Sequence, residues 1–319
     1  MAGADMPGAK PAALFYQRLT AKGGVTLLDV SLLTGRHHQI RCQLAGVGLP
    51  LWGDQRYNPS AVPGEQLALW AYALTLEHPT TKARMTFVSR PRGKAWAPFE
   101  DELSALIAGV RLVYADGDLV VADKDAGLSV TKDDGGDSLE GRLTDAFKQA
   151  VFPVHRLDVA TTGLVMFARN ERARQALDEA IRARTLRKYY RCEVHGSPAF
   201  EQAELRAYIV KDAEAARSYV YGEPRPGAKE IVTRCRVLRR EAQTSLLEVE
   251  LVTGRTHQIR AHLAFIGHPL VGDDRYGAHE KDRLLGARTL KLRAVRLELF
   301  FPKGNSLDRL NGTVIALED

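Results

Sequence analysis

Residues 154–170, VHRLDVATTGLVMFARN, place a histidine, an arginine and a carboxylate within four positions: His155, Arg156 and Asp158. An aspartate in a cleft can serve as a nucleophile, and it needs a cation nearby to stay ionised. Asp158 is therefore the residue on which chemistry is expected to turn. Thr161, Thr162 and Gly163 are turn-prone, and the apolar run 164–167 reads as a buried strand. Taken alone, HRLD also describes a surface Asp–Arg pair at a turn, so its weight depends on what accompanies it.

A second polar cluster, TGRTHQIRAHL, offers Thr253 and Gly254 at a turn, followed by Arg255, His257, Gln258 and Arg260. Five residues apart, Arg255 and Arg260 cannot share one helix stripe. A strand or first helical turn over 257–263 could send Arg260 inward. A zinc site through His257 and His262 is disfavoured, because helical ligand pairs sit four apart and no cysteine or acidic partner flanks them. No metal is expected.

These elements sit in a chain of 319 residues, enough for two domains with sizeable cores. Hydrophobic residues make up 45% and charged residues 26%, the balance of a globular protein rather than a disordered one. No apolar run is long enough to span a bilayer and the first residues lack a signal-peptide core, so a cytoplasmic location is expected. Cys42, Cys192 and Cys235 are too scattered for a C-x-x-C zinc or redox pair and read as reduced packing residues. A net charge of +6, carried largely by arginine, favours nucleic acid over membrane as partner.

The chain repeats itself. Residues 33–58, LTGRHHQIRCQLAGVGLPLWGDQRYN, match residues 252–277, VTGRTHQIRAHLAFIGHPLVGDDRYG, at sixteen of twenty-six positions with no gap. At the same offset PGAK at 7–10 matches 226–229, and LLDV at 27–30 matches LLEV at 246–249. LALWAYALTLEHP from Leu67 matches LKLRAVRLELFFP from Leu290 after a loop four residues longer in the second copy, and both alternate like half-buried strands. The first copy has nothing to match the segment that carries HRLD. Three domains of organisation follow: a partial C-terminal half-copy at 1–92, a linker at 93–108 with a short helix over 100–107 after Pro98, and a complete unit at 109–319. Within that unit strands are expected up to Tyr114 and over 119–122. Ala173, Leu177, Ala180, Ile181 and Arg184 recur at helical spacing, with an arginine-rich opposite face.

With these motifs in order, the sequence resembles the RluA-type pseudouridine synthases over about residues 110–302. VVADKDAGLSV is similar to their first motif, HRLDVATTG to their catalytic motif, RKYYRCEVHG to their tyrosine motif and LVTGRTHQIRAHLAFIGHPLVGDDRYG to their C-terminal signature. The resemblance implies an α+β pseudouridine synthase fold, a mixed, largely antiparallel sheet with flanking helices and a central cleft. It implies that Asp158 is catalytic, that Tyr190 rather than Tyr189 packs on the uracil, and that Arg260 pairs with the catalytic carboxylate. His155 and Arg156 would help displace the target base, and His257, Gln258 and Arg255 would line the substrate site. Arg255 and the basic face around Arg182, Arg184, Arg187 and Lys188 would meet phosphates. The reaction needs no redox step or hydrolysis, so no cofactor is implied.

The first motif has Asp125 where the family usually has proline, and Val159, Ala160 and Thr162 also depart from its common residues. The larger departure is the half-copy. It keeps Arg36 and Arg41 but has no HRLD, so it cannot catalyse alone, and an unpaired half-sheet invites association. It could be a remnant of a tandem synthase, could dock on the catalytic unit or on a second chain, or could continue upstream. The expected function is isomerisation of a uridine in structured ribosomal or transfer RNA. The rival is an inactive RNA-binding protein that keeps the fold, and a hydrolase using Asp158 with His155 ranks third for lack of a second carboxylate.

Overall fold

The structure, a computed structural model, describes residues 10–132 and 136–317, so residues 7–9 of the PGAK repeat lie outside the described residues. The chain divides into two compact units, Met1–Gly109 and Val110–Asp319.

In the first unit, β1 (Leu14–Lys22) and β2 (Val25–Leu32) form an antiparallel hairpin. Gly23 and Gly24 both take positive φ at its tip, as a two-residue turn matched to strand twist requires. Helix α1 (Gln39–Gly46) follows, then a second hairpin of β3 (Ala73–Glu77) and β4 (Arg84–Val88). Residues 93–108, expected as a linker, are instead a 3-10 turn at Lys94–Phe99 and α2 (Glu100–Ile107). Glu100, Asp101 and Glu102 place negative charge at the helix N-terminus, where the macrodipole favours it. Phe99 and Leu103 then close a small core on Leu27. The expected helix after Pro98 is present, but apolar burial ties it into the unit.

The second unit begins with β5 (Arg111–Ala115), β6 (Leu119–Lys124), α3 (Leu139–Phe147), β7 (Phe152–Pro153), β8 (Thr162–Ala168) and α4 (Glu171–Arg182). It continues with β9 (Leu186–His195), β10 (Gln202–Asp212), β11 (Arg217–Tyr221), β12 (Lys229–Arg240) and β13 (Thr244–Leu251). Helices α5 (Gln258–Phe265) and α6 (His279–Leu285) precede β14 (Leu292–Leu299) and β15 (Thr313–Ala316). One sheet of eleven strands runs β11-β10-β12-β13-β9-β14-β8-β6-β5, with β15 on β14 and β7 on β8. Only β14–β8 is parallel among its described pairs, so the sheet is mixed and largely antiparallel, with helices alongside, as expected.

The apolar run after HRLD becomes β8, buried from Gly163 to Ala168, and a continuous apolar stretch is what a strand covered on both faces requires. Gly163 has φ 104°, and a Cβ there would lie 2.1 Å from the Ala294 carbonyl oxygen, so only glycine permits the β8–β14 contact. Helix α4 buries Ala173, Ala176, Leu177 and Ala180, and the Asn170 side chain caps it by accepting from the Ala173 amide at 2.9 Å, worth about 1 kcal/mol. No helix among the described residues is long and apolar enough to cross a membrane.

Candidate active site

Asp158 lies in the loop between β7 and β8, its side chain 26% exposed and so open to a ligand. The loop is pinned from below. The Lys124 ammonium, at the end of β6 and fully buried, donates to the carbonyls of Asp125 (2.9 Å), Leu128 (2.9 Å) and Val159 (3.0 Å). Burial lowers its pKa to about 8 against the opposing pull of Asp125 and Asp158. Three carbonyl acceptors nonetheless match its three donors.

Helix α5 brings the cation. Its N-cap, His257, adopts the left-handed conformation at φ 56°, unusual for a residue with a Cβ and strained by about 1–2 kcal/mol. The His257 Nδ1 sits 3.0 Å from the Tyr276 hydroxyl, which also accepts from the Ser218 amide at 2.7 Å. One turn later Arg260 projects inward, 4% exposed. Its Nε donates to Asp273 Oδ2 (2.8 Å), its Nη2 to Asp273 Oδ1 and Asp274 Oδ1 (both 2.7 Å), and its Nη1 to Asp158 Oδ2 at 3.3 Å. Burial opposes the guanidinium charge, but the Asp273 hydrogen bonds and then Asp158 outweigh it and raise the Arg260 pKa. Burial likewise acts against the Asp273 carboxylate, and Arg260 more than offsets it, leaving that pKa lowered. Asp273 thus fixes one edge of a planar fork and aims the other at Asp158. The His257 Nε2 lies 3.9 Å from Asp158 Oδ1, on the same side. Burial lowers the His257 pKa, with Asp158 pulling the other way.

Tyr190 comes from β9, paired with Val249 on one side and Ala294 on the other, and is 4% exposed. Burial, then the Asp158 charge, raises its pKa and keeps the hydroxyl protonated at neutral pH. Tyr189 faces the opposite side of the strand, where the Arg296 guanidinium stacks 3.8 Å from its ring centroid and its hydroxyl donates to Glu298 at 3.3 Å.

The other candidates separate. Gln258 is 2% exposed, and its amide is engaged by Thr253 Oγ1 (2.9 Å), the Arg255 amide (3.1 Å), the Val232 carbonyl (3.2 Å) and Thr233 Oγ1 (3.1 Å). This corrects the expectation that it lines the substrate site: its polar atoms already shape the loop. His155 accepts from the Met166 amide at Nε2 (3.3 Å), and burial followed by the Lys188 charge lowers its pKa to about 3. It follows β7 and is bonded to β8 as a neutral, partly exposed ring. Arg156 and Arg255 are exposed, as phosphate or base contacts would need. Lys188, expected on the basic outer face, lies on the Tyr190 side of β9, and a Cβ at Gly254 would be 3.5 Å from its Nζ. Burial lowers its pKa. His262, weighed as a zinc partner for His257, is buried against Thr233 Oγ1 at 3.0 Å, with its pKa lowered by burial to about 4.

Sequence reasoning missed Lys124, Asp273, Asp274 and Tyr276 as parts of the site. The signal for Asp273 and Tyr276 was the repeat itself, because GDDRYG and GDQRYN keep both.

The first unit reproduces this geometry. His38 caps α1 at φ 54° and contacts the Tyr57 hydroxyl at 3.1 Å, while Arg41 binds Asp54 through Nε (2.9 Å) and Nη2 (2.7 Å). The Thr34–Gln39 and Arg36–Gln39 hydrogen bonds match Thr253–Gln258 and Arg255–Gln258. Even the irregularity in β1 between Arg18 and Thr20 falls where β12 has one between Val237 and Arg239. Where Arg260 Nη1 meets Asp158, Arg41 Nη1 instead lies 3.2 Å from His38 Nε2.

Comparison with known proteins points one way. Residues 118–265 match the family model described as RNA pseudouridylate synthase. The chain is 33% identical over 200 residues to the ribosomal large subunit pseudouridine synthase C of Vibrio cholerae, covering 60% of this chain and 61% of that protein. It is 31% identical over 205 residues to the dual-specificity RNA pseudouridine synthase RluA of the same organism, covering 63% of this chain and 81% of that one. The chain thus spans about three fifths of the length of the first relative and four fifths of the second. Among solved structures, human RNA pseudouridylate synthase domain containing 1 superposes with a TM-score of 0.55 at 23% identity, covering 66% of this chain and 83% of that one, a likeness of fold.

Proposed function

The chain belongs to the RluA-type family of RNA pseudouridine synthases, and on that premise we propose that its second unit isomerises a uridine to pseudouridine in structured RNA, with Asp158 as the catalytic carboxylate. The observation that carries the reading is the Arg260 fork, clamped by Asp273 and presenting Nη1 to a carboxylate that remains open to a ligand.

The target base must first leave the stack. Exposed Arg156 would fill the space it vacates, and Arg255 would meet the backbone phosphates. The C1'–N1 bond then breaks and the C1'–C5 bond forms; N1 gains a proton and C5 loses one. Asp158 would attack the sugar or base, or stabilise positive charge on the ribose as uracil departs. Arg260 fixes the carboxylate in place, and Tyr190 would hold the detached uracil while it turns. The 3.3 Å contact of Arg260 on α5 with Asp158 in the β7–β8 loop, and the influence of the Asp158 charge on Tyr190 of β9, support this reading. The reaction needs no cofactor. Ribosomal and transfer RNA in the cytoplasm are the substrates this reading favours.

We further assign residues 1–92 as a partial copy of the same fold. The repeat and its matching hydrogen bonds, N-cap and strand irregularity support this assignment.

The test is release of tritium from bulk ribosomal and transfer RNA carrying uridine labelled at C5. C5 loses its hydrogen only when C1' is joined there, so release establishes the reaction and identifies the RNA class. Tight RNA binding without release would instead favour the inactive binding protein.

A further inference from the structure

A single contact does not fix a carboxylate. Arg260 Nη1 meets Asp158 at Oδ2, 3.3 Å away, and the last torsion of an aspartate side chain is broad, so Oδ1 is left to swing. The group facing Oδ1 is the His257 ring, with Nε2 at 3.9 Å. That is about 1 Å beyond a hydrogen bond, and catalytic contacts of this kind tighten as substrate closes on a site. Whether His257 can donate there depends on which ring nitrogen carries its proton.

The partners of Nδ1 decide it. The Tyr276 hydroxyl, 3.0 Å from Nδ1, already accepts from the Ser218 amide at 2.7 Å, and the Ser218 hydroxyl gives its own proton to the Thr256 carbonyl at 2.9 Å. The tyrosine proton is then available to Nδ1, which leaves the proton of a neutral ring on Nε2, toward the carboxylate. Burial favours the neutral ring. In the first unit the matching pair is arranged the other way. His38 Nδ1 is 3.1 Å from the Tyr57 hydroxyl, but its Nε2 lies 3.2 Å from Arg41 Nη1, and a guanidinium can only donate. Nε2 of His38 is therefore bare, and its proton sits on Nδ1. Both histidines have left-handed backbone, at φ 54° and 56°, and a tyrosine partner 19 residues on. What differs is the group at Nε2.

We propose that His257 is a positioning residue for Asp158: its Nε2–H, set by Tyr276, steadies Oδ1 while Arg260 holds Oδ2, so that the carboxylate meets the ribose or base in one orientation. The inference rests on reading Asp158 as the catalytic group. Each carboxylate oxygen keeps a second lone pair for the reaction. The histidine of the first unit, which faces a guanidinium, carries the opposite tautomer.

Two variants separate the ring nitrogens. An asparagine amide reaches only the Nδ1 position, and asparagine accepts left-handed backbone readily, so His257→Asn should fold with no lower thermal midpoint by circular dichroism. A glutamine amide reaches the Nε2 position and can still donate to Asp158. In tritium release His257→Asn should lose about a hundredfold in kcat, the effect of misplacing a reacting group by about 1 Å, and His257→Gln should recover at least about tenfold of that loss. KM should stay within about threefold in both, because His257 acts through Asp158. Long-range proton–nitrogen correlation spectra of the full chain with isotope-labelled histidine read the tautomers directly. With the two rings assigned by their loss in His257→Asn and His38→Asn, Nε2 should be protonated in His257 and Nδ1 in His38. A proton on Nδ1 of His257 would overturn the proposal, as would unchanged kcat in His257→Asn. Equal loss in the two His257 variants would also overturn it, since that is the mark of a merely structural role. The tautomer is read without turnover, so a chain that releases no tritium refutes the proposed activity while the resonances still decide where the proton sits.

Discussion

Replacing Asp273 by asparagine keeps the shape of the Arg260 clamp and removes its charge. The carboxylate accepts Arg260 at both oxygens and also the amides of Arg275 (2.9 Å) and Tyr276 (3.0 Å) at Oδ1. An asparagine can keep Oδ1 for the two amides, but its NH2 then faces the Arg260 Nε donor. Removing one member of a buried pair costs about 3–5 kcal/mol. Asp274, 74% exposed, offsets little, and Asp158 remains, so about 3 kcal/mol is expected. For a unit of this size that lowers the thermal midpoint by about 6–12 °C. With Arg260 free to shift, turnover should fall about a hundredfold, the usual effect of misplacing a reacting group by about 1 Å. Asp54→Asn is the internal control, since it breaks the matching Arg41 pair without touching Asp158. Trp52, Trp70 and Trp96 are the chain's three tryptophans, and all lie in the first unit. Tryptophan fluorescence therefore follows that unit, while circular dichroism is dominated by the second. Asp273→Asn should move the dichroism transition and the tritium-release rate and leave the fluorescence transition alone; Asp54→Asn should do the reverse. A dichroism midpoint within about 2 °C of wild type, or unchanged turnover, would refute the clamp.

Further outcomes follow from the same geometry. Lys124→Met removes the donor from the Asp125 and Leu128 carbonyls, costing about 1 kcal/mol each, while the Val159 carbonyl keeps the Gly127 amide, and should lower kcat while RNA affinity in filter binding stays within twofold, about the limit of that measurement. Tyr190→Phe should slow tritium release, and Tyr189→Phe, on the opposite face of β9, should not. Acid should weaken the first unit through Asp54. The Arg41 hydrogen bond lowers the pKa of Asp54 to about 2 from its ordinary 3.8, so its contribution is complete above the unfolded value and is lost as pH falls toward 2. The fluorescence-monitored midpoint should drop over that window, and Asp54→Asn should flatten the drop.

Much of this arrangement could be read from side-chain pattern. The strand over the 164–167 apolar run, the helix built on the spacing of Ala173 and Leu177 and the helix expected after Pro98 all appear where those signals placed them. Arg260 turns inward and approaches Asp158 at 3.3 Å. What escaped were partners distant in sequence. The role of Asp273 depends on a contact 13 residues away across the end of α5 and the loop after it, and Lys124 reaches a carbonyl 35 residues away. Neither leaves a periodic trace. Gln258 and Lys188 were misassigned for a related reason: a polar side chain beside a motif can serve the backbone or the interior as readily as the substrate. The linker at 93–108 was misread because Pro, Arg and Gly suggested loop, whereas burial of Phe99 and Leu103 on Leu27 decided the structure. The repeat was the most informative signal, since its matched positions include the histidine cap, the guanidinium–carboxylate pair and the tyrosine in both units.

The central claim is that Asp158 carries the chemistry and that the rest of the site positions it. Asp158→Asn preserves shape and the Arg260 contact through its amide oxygen while removing the nucleophilic charge. Tritium release from C5-labelled RNA, measured with RNA affinity on the same preparations, should fall by at least about 10⁴-fold with Kd within about threefold of wild type, as expected when a group acting only on the reacting atoms is removed. Release at a rate near wild type would contradict the assignment.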